Sequence, residues 1–583
     1  MLQPSDSQGG VSLNLIEAGL TLIAMTAAFA WPRFASSSFA RIERAFGRLA
    51  RKKGTSVAVV GAAAVLIRLA ILPACPIPLP FLPDDFSFLL ASDTFLHGRL
   101  ANPTPVMWVH FETIHVDMKP TYMSMYFPGQ ALVLAAGKLL FGHPWFGVLL
   151  TDALMCAAIC WMLQAWLPPA WALAGGLIAV VRLGLFTYWI NTYTGAGPIA
   201  ALGGALVLGA LPRLMKTARF RYGLLMGAGI VLLVMTRPYE GLLLCLPVAV
   251  VLGRWVLIGK NRPSMGVLLR RAAAPLALTV AAGTWLGYYD YRAFGSPLTL
   301  PYNVDRATYA MAPYYIWQSP RPMPNYRHEA LKRFYSKVEM RSIDKIQSLS
   351  GYVPQSLLKA VNGVLFFAGL ALLVPLVMIR RALIDRRIRF LVFGLLILTA
   401  GMAIEIYMIP HYLAPFTAAF YAIGLQCMRH LRVWTPGDQP VGIAMVRLIF
   451  TVCFILAGVR VCAGPLGIKL VEWPASVWSN WWYGPGHFGT ERARIEALMD
   501  QMPGKQLAIV QYSPDRDSLD EWVYNRADID GSKVIWARQM DAADDEELLE
   551  YYKDRKAWLV QMGTEPATVS PYPLPAQVPL SSH

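Results

Sequence analysis

Long apolar runs alternate with short polar connections over most of this chain. A helix that crosses a bilayer needs roughly 20 apolar residues, and many runs approach that length. A shorter run, 128–142, is bounded by Pro128 and Gly142 and predicts a helix at the membrane surface. The pattern predicts twelve membrane-spanning helices, at 11–31, 57–76, 145–163, 171–189, 195–213, 222–236, 239–258, 272–290, 358–379, 389–408, 412–428 and 442–463.

The pattern changes after residue 464, where the apolar runs become shorter. Short buried-strand patterns there alternate with helical patterns, which predicts a small α/β unit with a parallel sheet. The strands are predicted at 506–510, 533–537 and 557–560, and the helices at 491–501 and 544–553. The predicted fold class is an α-helical polytopic membrane protein with about twelve transmembrane helices and a small C-terminal α/β domain.

This division predicts three domains. Residues 1–56 hold the first span and a basic loop, residues 57–464 form the polytopic membrane domain, and residues 465–583 form the α/β domain. Segment 40–53 has apolar residues at helical spacing among arginines. Both a helix along the inner membrane surface and a plain connecting loop are compatible with that pattern.

Composition and charge agree with a membrane protein and predict its orientation. The 583 residues are 56% hydrophobic and 15% charged, whereas soluble domains average about a quarter charged residues. The positive-inside rule places short basic loops in the cytoplasm, and simple alternation of the spans puts all of them on one side. These loops are Arg33–Lys53, Arg213–Arg221, Lys260–Arg271, Arg380–Arg389 and Arg429–Arg432. The outer loops 77–144 and 291–357 and the C-terminal domain then lie on the periplasmic side of a bacterial inner membrane.

Charge, cysteines and histidines exclude several other classes. The net charge of +16 is explained by topology and does not indicate a nucleic-acid partner. The seven cysteines lie in or beside apolar runs, so no disulfide framework is implied. The spacing of His97, His110 and His115 fits no common metal site, and these side chains are interpreted as loop histidines.

The acidic pair Asp84-Asp85 follows the second predicted span, at the start of the first outer loop. A transfer reaction onto a hydroxyl or amine needs a base for the acceptor proton or a carboxylate to orient the acceptor. An Asp at this position also caps the helix predicted after it. Both interpretations are compatible with the pattern, and they do not exclude each other.

Three cationic or imidazole side chains at outer helix ends are candidates for binding a phosphate. A lysine binds phosphate as a point charge, and Lys119 in the first outer loop is predicted to lie near the membrane. An interfacial lysine that covers apolar surface is an equally compatible interpretation. Arg237, at an outer turn, and His411, at the start of a late span, complete the set.

The outer loops are also rich in aromatic residues and arginine. Loop 291–357 contains many Tyr and Pro residues together with Arg321 and Arg327. Either a lid over a substrate or an interfacial aromatic belt explains this composition. In the first outer loop, Tyr122 and Tyr126 follow Lys119.

The order of these motifs resembles a known family. Asp84-Asp85 precedes Lys119-Pro120, which precedes Tyr126-Phe127-Pro128-Gly129 and a short apolar helix, and the string 409–415 opens a late span. This order is similar to that of the polytopic glycosyltransferases of the protein O-mannosyltransferase and lipid A aminoarabinose transferase type. The chain departs from that pattern in three ways. Asp85 stands where Glu is common, His411 stands where Arg is frequent, and both a span before the usual first helix and the α/β tail are additions.

The resemblance implies an inverting transfer of a sugar from a polyprenyl-phosphate donor, on the non-cytoplasmic face, to an envelope acceptor that the sequence does not name. It implies that Asp84 or Asp85 acts as the base and that no cofactor is required, with a divalent cation left open. Membrane lipids are the other expected partners. The predicted donor-phosphate residues are Lys119, Arg237 and His411, and the predicted substrate-loop residues are Tyr122, Tyr126, Arg321 and Arg327.

Two rival functions remain open at this point. A transporter or flippase for lipid-linked glycans also needs many spans, but such folds often carry internal repeats, and the two halves of this chain share none that is recognisable. A non-catalytic membrane subunit that presents the C-terminal domain to a partner would tolerate replacement of the acids in the first outer loop.

Overall fold

The computed structural model describes residues 10–217, 219–258, 264–344, 346, 348–471, 489–513, 519–563 and 566–573. Within this part of the chain, seven helices are long and apolar enough to cross a membrane. They are Leu13–Ala30, Lys53–Ala70, Trp145–Trp166, Gly197–Thr217, Pro238–Ile258, Met265–Phe294 and Val441–Ala463. An eighth candidate is the pair Leu349–Ala368 and Ala371–Ala382, which is bent by 104° at the break between them.

The predicted number of twelve spans is not confirmed by this criterion. Each predicted run overlaps a helix, but some of these helices are short or charged. Pro169–Arg182 has 14 residues and Phe220–Val234 has 15. Arg386–Ala403 begins with three arginines within four residues, and Thr417–Arg432 starts only after the 3₁₀ turn Pro410–Phe416. Hydropathy locates these segments without revealing where a helix breaks.

A side chain from the first helix stabilises the break in the bent pair. Gly369 adopts a φ of +61°, which a glycine accepts readily. The buried carboxylate of Glu17, from the first helix, accepts hydrogen bonds from the backbone N–H groups of Leu370 and Ala371 at 2.9 and 3.1 Å. These donors would otherwise be unsatisfied inside an apolar bundle.

The shorter helices lie in the connections and at the ends of the bundle. The basic segment 40–53 belongs largely to the helix Ser36–Arg51, and run 128–142 forms the helix Gly129–Phe141. The other helices are Pro83–Leu96, Trp108–Phe111, Tyr188–Asn191, Pro301–Thr308, Glu329–Arg333, Met340–Asp344, Thr490–Gln501 and Ala542–Tyr551. Two-residue strands pair Val11–Ser12 with Leu470–Val471 and Val116–Asp117 with Met123–Ser124.

The three predicted strands of the C-terminal region form one sheet. Lys505–Gln511 is central and pairs in parallel with Val534–Arg538 on one side and Arg555–Gln561 on the other. A fourth strand, Thr568–Pro571, adds an antiparallel edge that the sequence pattern did not predict. The two predicted helices are also present, as Thr490–Gln501 and Ala542–Tyr551.

This sheet shares a core with the first outer loop. Phe86, Met107, Phe111 and Tyr122 from the loop pack in one cluster with Leu507, Ile509, Ile535 and Leu548 from the C-terminal region. A hydrogen bond from a side chain to the backbone reinforces the contact, since Arg538 Nε donates to the carbonyl of Glu112 at 2.7 Å. The sheet therefore lies directly against the segment that carries the acidic pair.

Candidate active site

The acidic pair lies at the start of the helix Pro83–Leu96, which we call the Asp84 helix. Pro83 occupies its first turn, where a missing N–H costs nothing. Asp84 and Asp85 follow, in the turn where carboxylates also favour the helix dipole. Consecutive helical residues point about 100° apart, so the two carboxylates face different surroundings.

Asp85 is a structural acid. Its side chain is fully buried and accepts hydrogen bonds from three backbone N–H groups, those of Phe81 and Leu82 at 3.3 Å and that of Tyr193 at 2.7 Å. Burial raises the pKa of Asp85 to about 7, and the three N–H donors act in the opposite direction. Asp85 thus caps the helix and ties it to a loop more than 100 residues away.

Asp84 is the accessible acid of the pair. Its Oδ1 accepts a short hydrogen bond from the Tyr126 hydroxyl and lies 3.2 Å from Nδ1 of His115. The Asp84 side chain is 19% exposed. In the described part of the chain, no hydrogen bond or ion pair reaches Oδ2 of Asp84. One carboxylate oxygen is held in place while the other is open to a ligand.

His115 is held in a fixed position beside this acid. Its backbone adopts a φ of +62°, which is uncommon for a residue with a side chain. Its carbonyl accepts a hydrogen bond from Ser87 on the Asp84 helix at 2.6 Å. Burial lowers the pKa of His115, but the hydrogen bond and charge of Asp84 raise it, and the net direction is upward.

A group of buried acids lies behind His115. Asp117 and Asp305 are 1% and 0% exposed. Burial and the charge of Asp305 raise the pKa of Asp117 well above its ordinary value. Neither carboxylate oxygen of Asp117 has a hydrogen-bond partner among the described residues. Arg306 forms an ion pair of 2.7 Å with Glu339, and its positive charge also acts on Asp305.

Arg237 reaches the same region from the membrane bundle. Its guanidinium lies 4.5 Å from the ring of Tyr412 and 3.4 Å from Glu240. Tyr302 lies within electrostatic range of both Arg237 and Asp84, and its ring packs edge-on against Tyr126 at 5.5 Å. The buried Nε of Arg237 has no hydrogen-bond partner in the described ranges. Arg237, predicted to bind the donor phosphate, and Tyr126, predicted to belong to the substrate loop, thus both lie near Tyr302.

Lys119 lies elsewhere. Its ammonium group packs over the ring of Trp108 at 4.0 Å, and Arg327 packs over the same indole at 4.7 Å. Arg327 also lies 3.5 Å from Glu112. No contact within the described ranges links Lys119 to Asp84 or Arg237, so the structure separates Lys119 from Arg237, whereas His411 lies within electrostatic range of Arg237.

The remaining predicted site residues have structural partners. The Tyr122 side chain is buried, and its hydroxyl donates to the Asn525 carbonyl at 3.0 Å. His411 is buried with Nδ1 2.9 Å from the Tyr188 hydroxyl. Arg321 donates a short hydrogen bond to the Arg306 carbonyl and shapes its own loop. The interpretation of these three as substrate or phosphate ligands therefore gains no support from their contacts.

Sequence reasoning missed the role of His115 and did not single out Tyr302 or Asp305. No spacing rule links residue 84 to residue 115 or residue 302, because the contacts depend on how two outer loops pack. The high aromatic content of loop 291–357 was the only available signal. The described residues contain no group of three or more His, Cys, Asp or Glu side chains arranged to hold a metal ion.

Tyr524 connects the C-terminal region to both sides of the site. Its ring stacks on Phe86 of the Asp84 helix, with centroids 4.4 Å apart, and its hydroxyl donates to the Ile114 carbonyl at 3.1 Å. Arg492 contacts both aromatic residues. Its guanidinium lies 4.7 Å from the Phe86 ring and donates a hydrogen bond of 3.0 Å to the Tyr524 carbonyl. A residue next to Asp85 and one next to His115 are thus fixed by one side chain.

Replacing Tyr524 with Phe keeps the ring stack and removes the hydrogen bond to Ile114. For any reaction at this site we expect kcat to fall several-fold with little change in KM, because the distance between Asp84 and His115 becomes less well fixed; one buried hydrogen bond contributes about 1 kcal/mol. Tyr552→Phe is the matched control, since its buried hydroxyl bonds Asp530 at 2.6 Å, away from Asp84. Equal losses in both variants would indicate a general stability effect rather than positioning.

Three comparisons with known proteins give a structural likeness only. No family model matches the chain, and no curated protein matches it. The oligosaccharyltransferase of Archaeoglobus fulgidus, tethered with an acceptor peptide, has a TM-score of 0.48 at 11% identity over 87% of this chain and 68% of its own. ArnT from Cupriavidus metallidurans, bound to undecaprenyl phosphate, has a TM-score of 0.45 at 12% identity over 87% of this chain and 92% of its own.

A third structure, AglB from Archaeoglobus fulgidus in complex with an inhibitory peptide and a dolichol-phosphate, has a TM-score of 0.46 at 11% identity over 87% of this chain and 69% of its own. These proteins are glycosyltransferases of the C superfamily, the type that the sequence motifs resemble. At these scores and identities the likeness leaves donor, acceptor and mechanism open.

Proposed function

We propose that this protein is a membrane glycosyltransferase that moves a sugar from a polyprenyl-phosphate donor to a lipid, glycan or protein acceptor on the non-cytoplasmic face. The acceptor attacks the anomeric carbon directly, the bond to the phosphate oxygen breaks, and the configuration inverts. Asp84 takes the acceptor's proton. The polyprenyl phosphate leaves with a developing negative charge that must be stabilised.

The contrast between the two acids carries this proposal. The carboxylate of Asp85 accepts hydrogen bonds from three backbone N–H groups. Oδ2 of Asp84 has no partner among the residues that the structure describes, and 19% of the Asp84 side chain is exposed. A general base must lie within hydrogen-bond reach of the proton that it removes. Only Asp84 of the pair meets this condition. Tyr126 and His115 hold its other oxygen, so the orientation of the carboxylate is set before an acceptor arrives.

Arg237 supports the second half of the reaction. It directly precedes the helix Pro238–Ile258, and Tyr302 lies within electrostatic range of both Arg237 and Asp84. A guanidinium is well suited to an anionic phosphate, because it offers several N–H donors in one plane. Its Nε–H is without a partner in the described ranges, so a donor for a phosphate oxygen is available without breaking an existing bond.

The two cations predicted to bind phosphate should behave differently. We expect Arg237→Gln to raise the donor KM by roughly 10-fold or more, because a charge-assisted hydrogen bond contributes about 1.5–3 kcal/mol. Lys119→Gln should change it less than about twofold, because its ammonium packs on Trp108 at 4.0 Å and exposed charges contribute little. Steady-state kinetics with a polyprenyl-phosphate sugar measure both. A larger effect at Lys119 would return the phosphate site to the motif-based prediction.

The function itself is tested in a host that lacks the gene and is complemented with the wild-type protein. Envelope glycans, glycoproteins and polyprenyl-linked sugars are compared by mass spectrometry. We expect one sugar to be absent from an acceptor, its lipid-linked donor to accumulate, and wild type to restore both. The accumulated donor is then added to purified protein in liposomes together with an extract of the acceptor, where the transfer product should form.

Two outcomes would contradict the proposal and point to the rival functions. Movement of the donor between leaflets without product formation would identify a flippase for lipid-linked glycans. Restoration of the glycans by a variant in which Asp84, His115 and Arg237 are all replaced, at matched membrane levels, would identify a non-catalytic subunit.

A further inference from the structure

A cavity of about 350 Å³ lies at the opposite end of the bundle from the candidate active site. It is lined by residues from the last two turns of the helix Thr417–Arg432, by Val433 directly after that helix, and by Trp171 at the start of the helix Pro169–Arg182. The helix Thr417–Arg432 follows directly after His411, which lies near Arg237. Its 16 residues separate the two sites by roughly 24 Å, at 1.5 Å per residue. The lining residues are Trp171, Gln426, Arg429, His430, Arg432 and Val433.

This cavity carries more positive charge than its neighbours neutralise. Arg432 and Arg447 both bind the single carboxylate of Glu43, with distances of 2.9–3.1 Å. One carboxylate between two guanidiniums leaves one positive charge in excess. Arg429 donates to the neutral amide of Gln426 at 2.7 Å, and no carboxylate within the described ranges forms an ion pair with it. A second positive charge is therefore uncompensated.

The positive charges around the cavity also act on the imidazole of His430. Burial, together with the charges of Arg429 and Arg381, lowers the pKa of His430, and Asp385 opposes them weakly. Asp385 is itself engaged, because it caps the next helix through the backbone N–H of Arg387 at 2.9 Å. No other acid is among the groups that act on His430. The cavity is thus electropositive on more than one side.

Apolar and aromatic groups border the cavity. Trp171 lines it, and Val433 at its rim is 69% exposed. Trp434 packs edge-on against Phe29 of the first helix, with ring centroids 6.0 Å apart. Tryptophan is typical of the level where lipid headgroups meet acyl chains. The basic amphipathic helix Ser36–Arg51 supplies Glu43 to the same region. An anion that enters here lies beside exposed apolar surface.

We propose that this cavity binds the phosphate headgroup of an anionic phospholipid, with Arg429 and Arg432 on the phosphate and Trp171 and Val433 beside the glycerol and upper acyl chain. Basic pockets between membrane helices on the predicted cytoplasmic side suit such headgroups. A free phosphate would use the same cations but would gain nothing from the apolar rim. The site is separate from the donor-phosphate site and does not depend on the proposed reaction.

The test uses the full-length protein in nanodiscs that contain zwitterionic phosphatidylcholine with increasing fractions of phosphatidylglycerol. Native mass spectrometry counts the phosphatidylglycerol molecules retained after release from the nanodisc. Arg429→Gln should reduce retention of one lipid about fivefold, since one basic residue near an anionic lipid contributes about 1 kcal/mol. Arg389→Gln is the matched control, because Arg389 is an exposed arginine from a basic segment and does not line the cavity. Arg429→Lys keeps the charge and should keep the lipid.

Each other result overturns the inference. An equal loss of phosphatidylglycerol in the Arg429→Gln and Arg389→Gln variants would show that net charge alone explains the effect. Unchanged retention in Arg429→Gln would exclude this cavity. Displacement of the lipid by millimolar inorganic phosphate, with equal stabilisation by phosphate alone, would assign the site to a free anion. Thermal unfolding of all variants checks that they fold. If Arg429→Gln does not fold, Arg429→Lys is compared with Trp171→Leu instead. Loss of the retained lipid is then expected only in the Trp171→Leu variant.

Discussion

Asp84→Asn is expected to lower kcat by about 10²–10⁴-fold, the usual contribution of a general base. The amide keeps the size of the side chain and one acceptor oxygen, so the contacts with Tyr126 and His115 at Oδ1 can persist. What is lost is the open oxygen that can take a proton. Donor KM should change little, because the donor phosphate is proposed to bind Arg237 rather than Asp84. The measurement is steady-state transfer by purified protein with saturating donor.

His97→Gln is the control for this experiment. His97 lies at the other end of the same helix and its side chain is 49% exposed, so its replacement should leave kcat within about twofold because surface substitutions rarely perturb a structure. If Asp84→Asn retained full activity while His97→Gln did as well, Asp84 would not be the base. His115 and Asp117 would then be the next residues to test.

Asp85→Asn is expected to destabilise the protein rather than to disable its chemistry. The Asn amide presents an NH₂ group where the carboxylate accepts backbone donors, so at least one buried N–H loses its partner. Each such loss costs about 1–3 kcal/mol, and a total near 3 kcal/mol is expected because three donors converge on Asp85. Thermal unfolding in detergent gives the change, and activity per folded molecule should stay near that of wild type.

The pH dependence of unfolding distinguishes this role further. Because burial raises the pKa of Asp85 to about 7 from an ordinary value of 3.8, the folded protein holds its proton more tightly than the unfolded chain does. This contribution to stability is present at low pH and is lost as pH rises between about 4 and 7. The Asn variant cannot titrate and should lack this part of the slope. An identical slope in both proteins would show that Asp85 is ionised throughout.

The two acids illustrate what the sequence can and cannot predict. The letters Asp84-Asp85 are compatible with both a cap and a base. The structure shows that Asp85 is the cap, and the base is proposed to be Asp84 because a helix turns by about 100° per residue and directs this carboxylate elsewhere. The twelve apolar runs were located correctly as helical segments, yet hydropathy did not reveal the break at Gly369 or the 3₁₀ turn before Thr417. Local sequence patterns predict where helical segments lie. The position of a helix break depends on distant side chains such as Glu17, which binds the backbone N–H groups at that break.

Contacts between loops were beyond such patterns. Lys119 matches the family motif by its position in the sequence. Its ammonium group, however, packs on the ring of Trp108, and Trp108 is not part of that motif. The spacing of His115 to the other histidines fits no metal site and predicts a loop histidine. In the structure its partner is the carboxylate of Asp84. Tyr302 lies 176 residues beyond Tyr126, so only the packing of the two outer loops brings their rings to 5.5 Å.

The core shared by the first outer loop and the C-terminal sheet has a practical consequence. A chain ended at residue 464 would keep every predicted span, but Phe86, Phe111 and Tyr122 would lose the side chains that cover them. Apolar surface left bare beside the Asp84 helix favours aggregation and exposes the loop to proteases. Shortening this protein for crystallisation or swapping its tail with that of another enzyme should therefore fail at the level of folding, before any question of substrate arises.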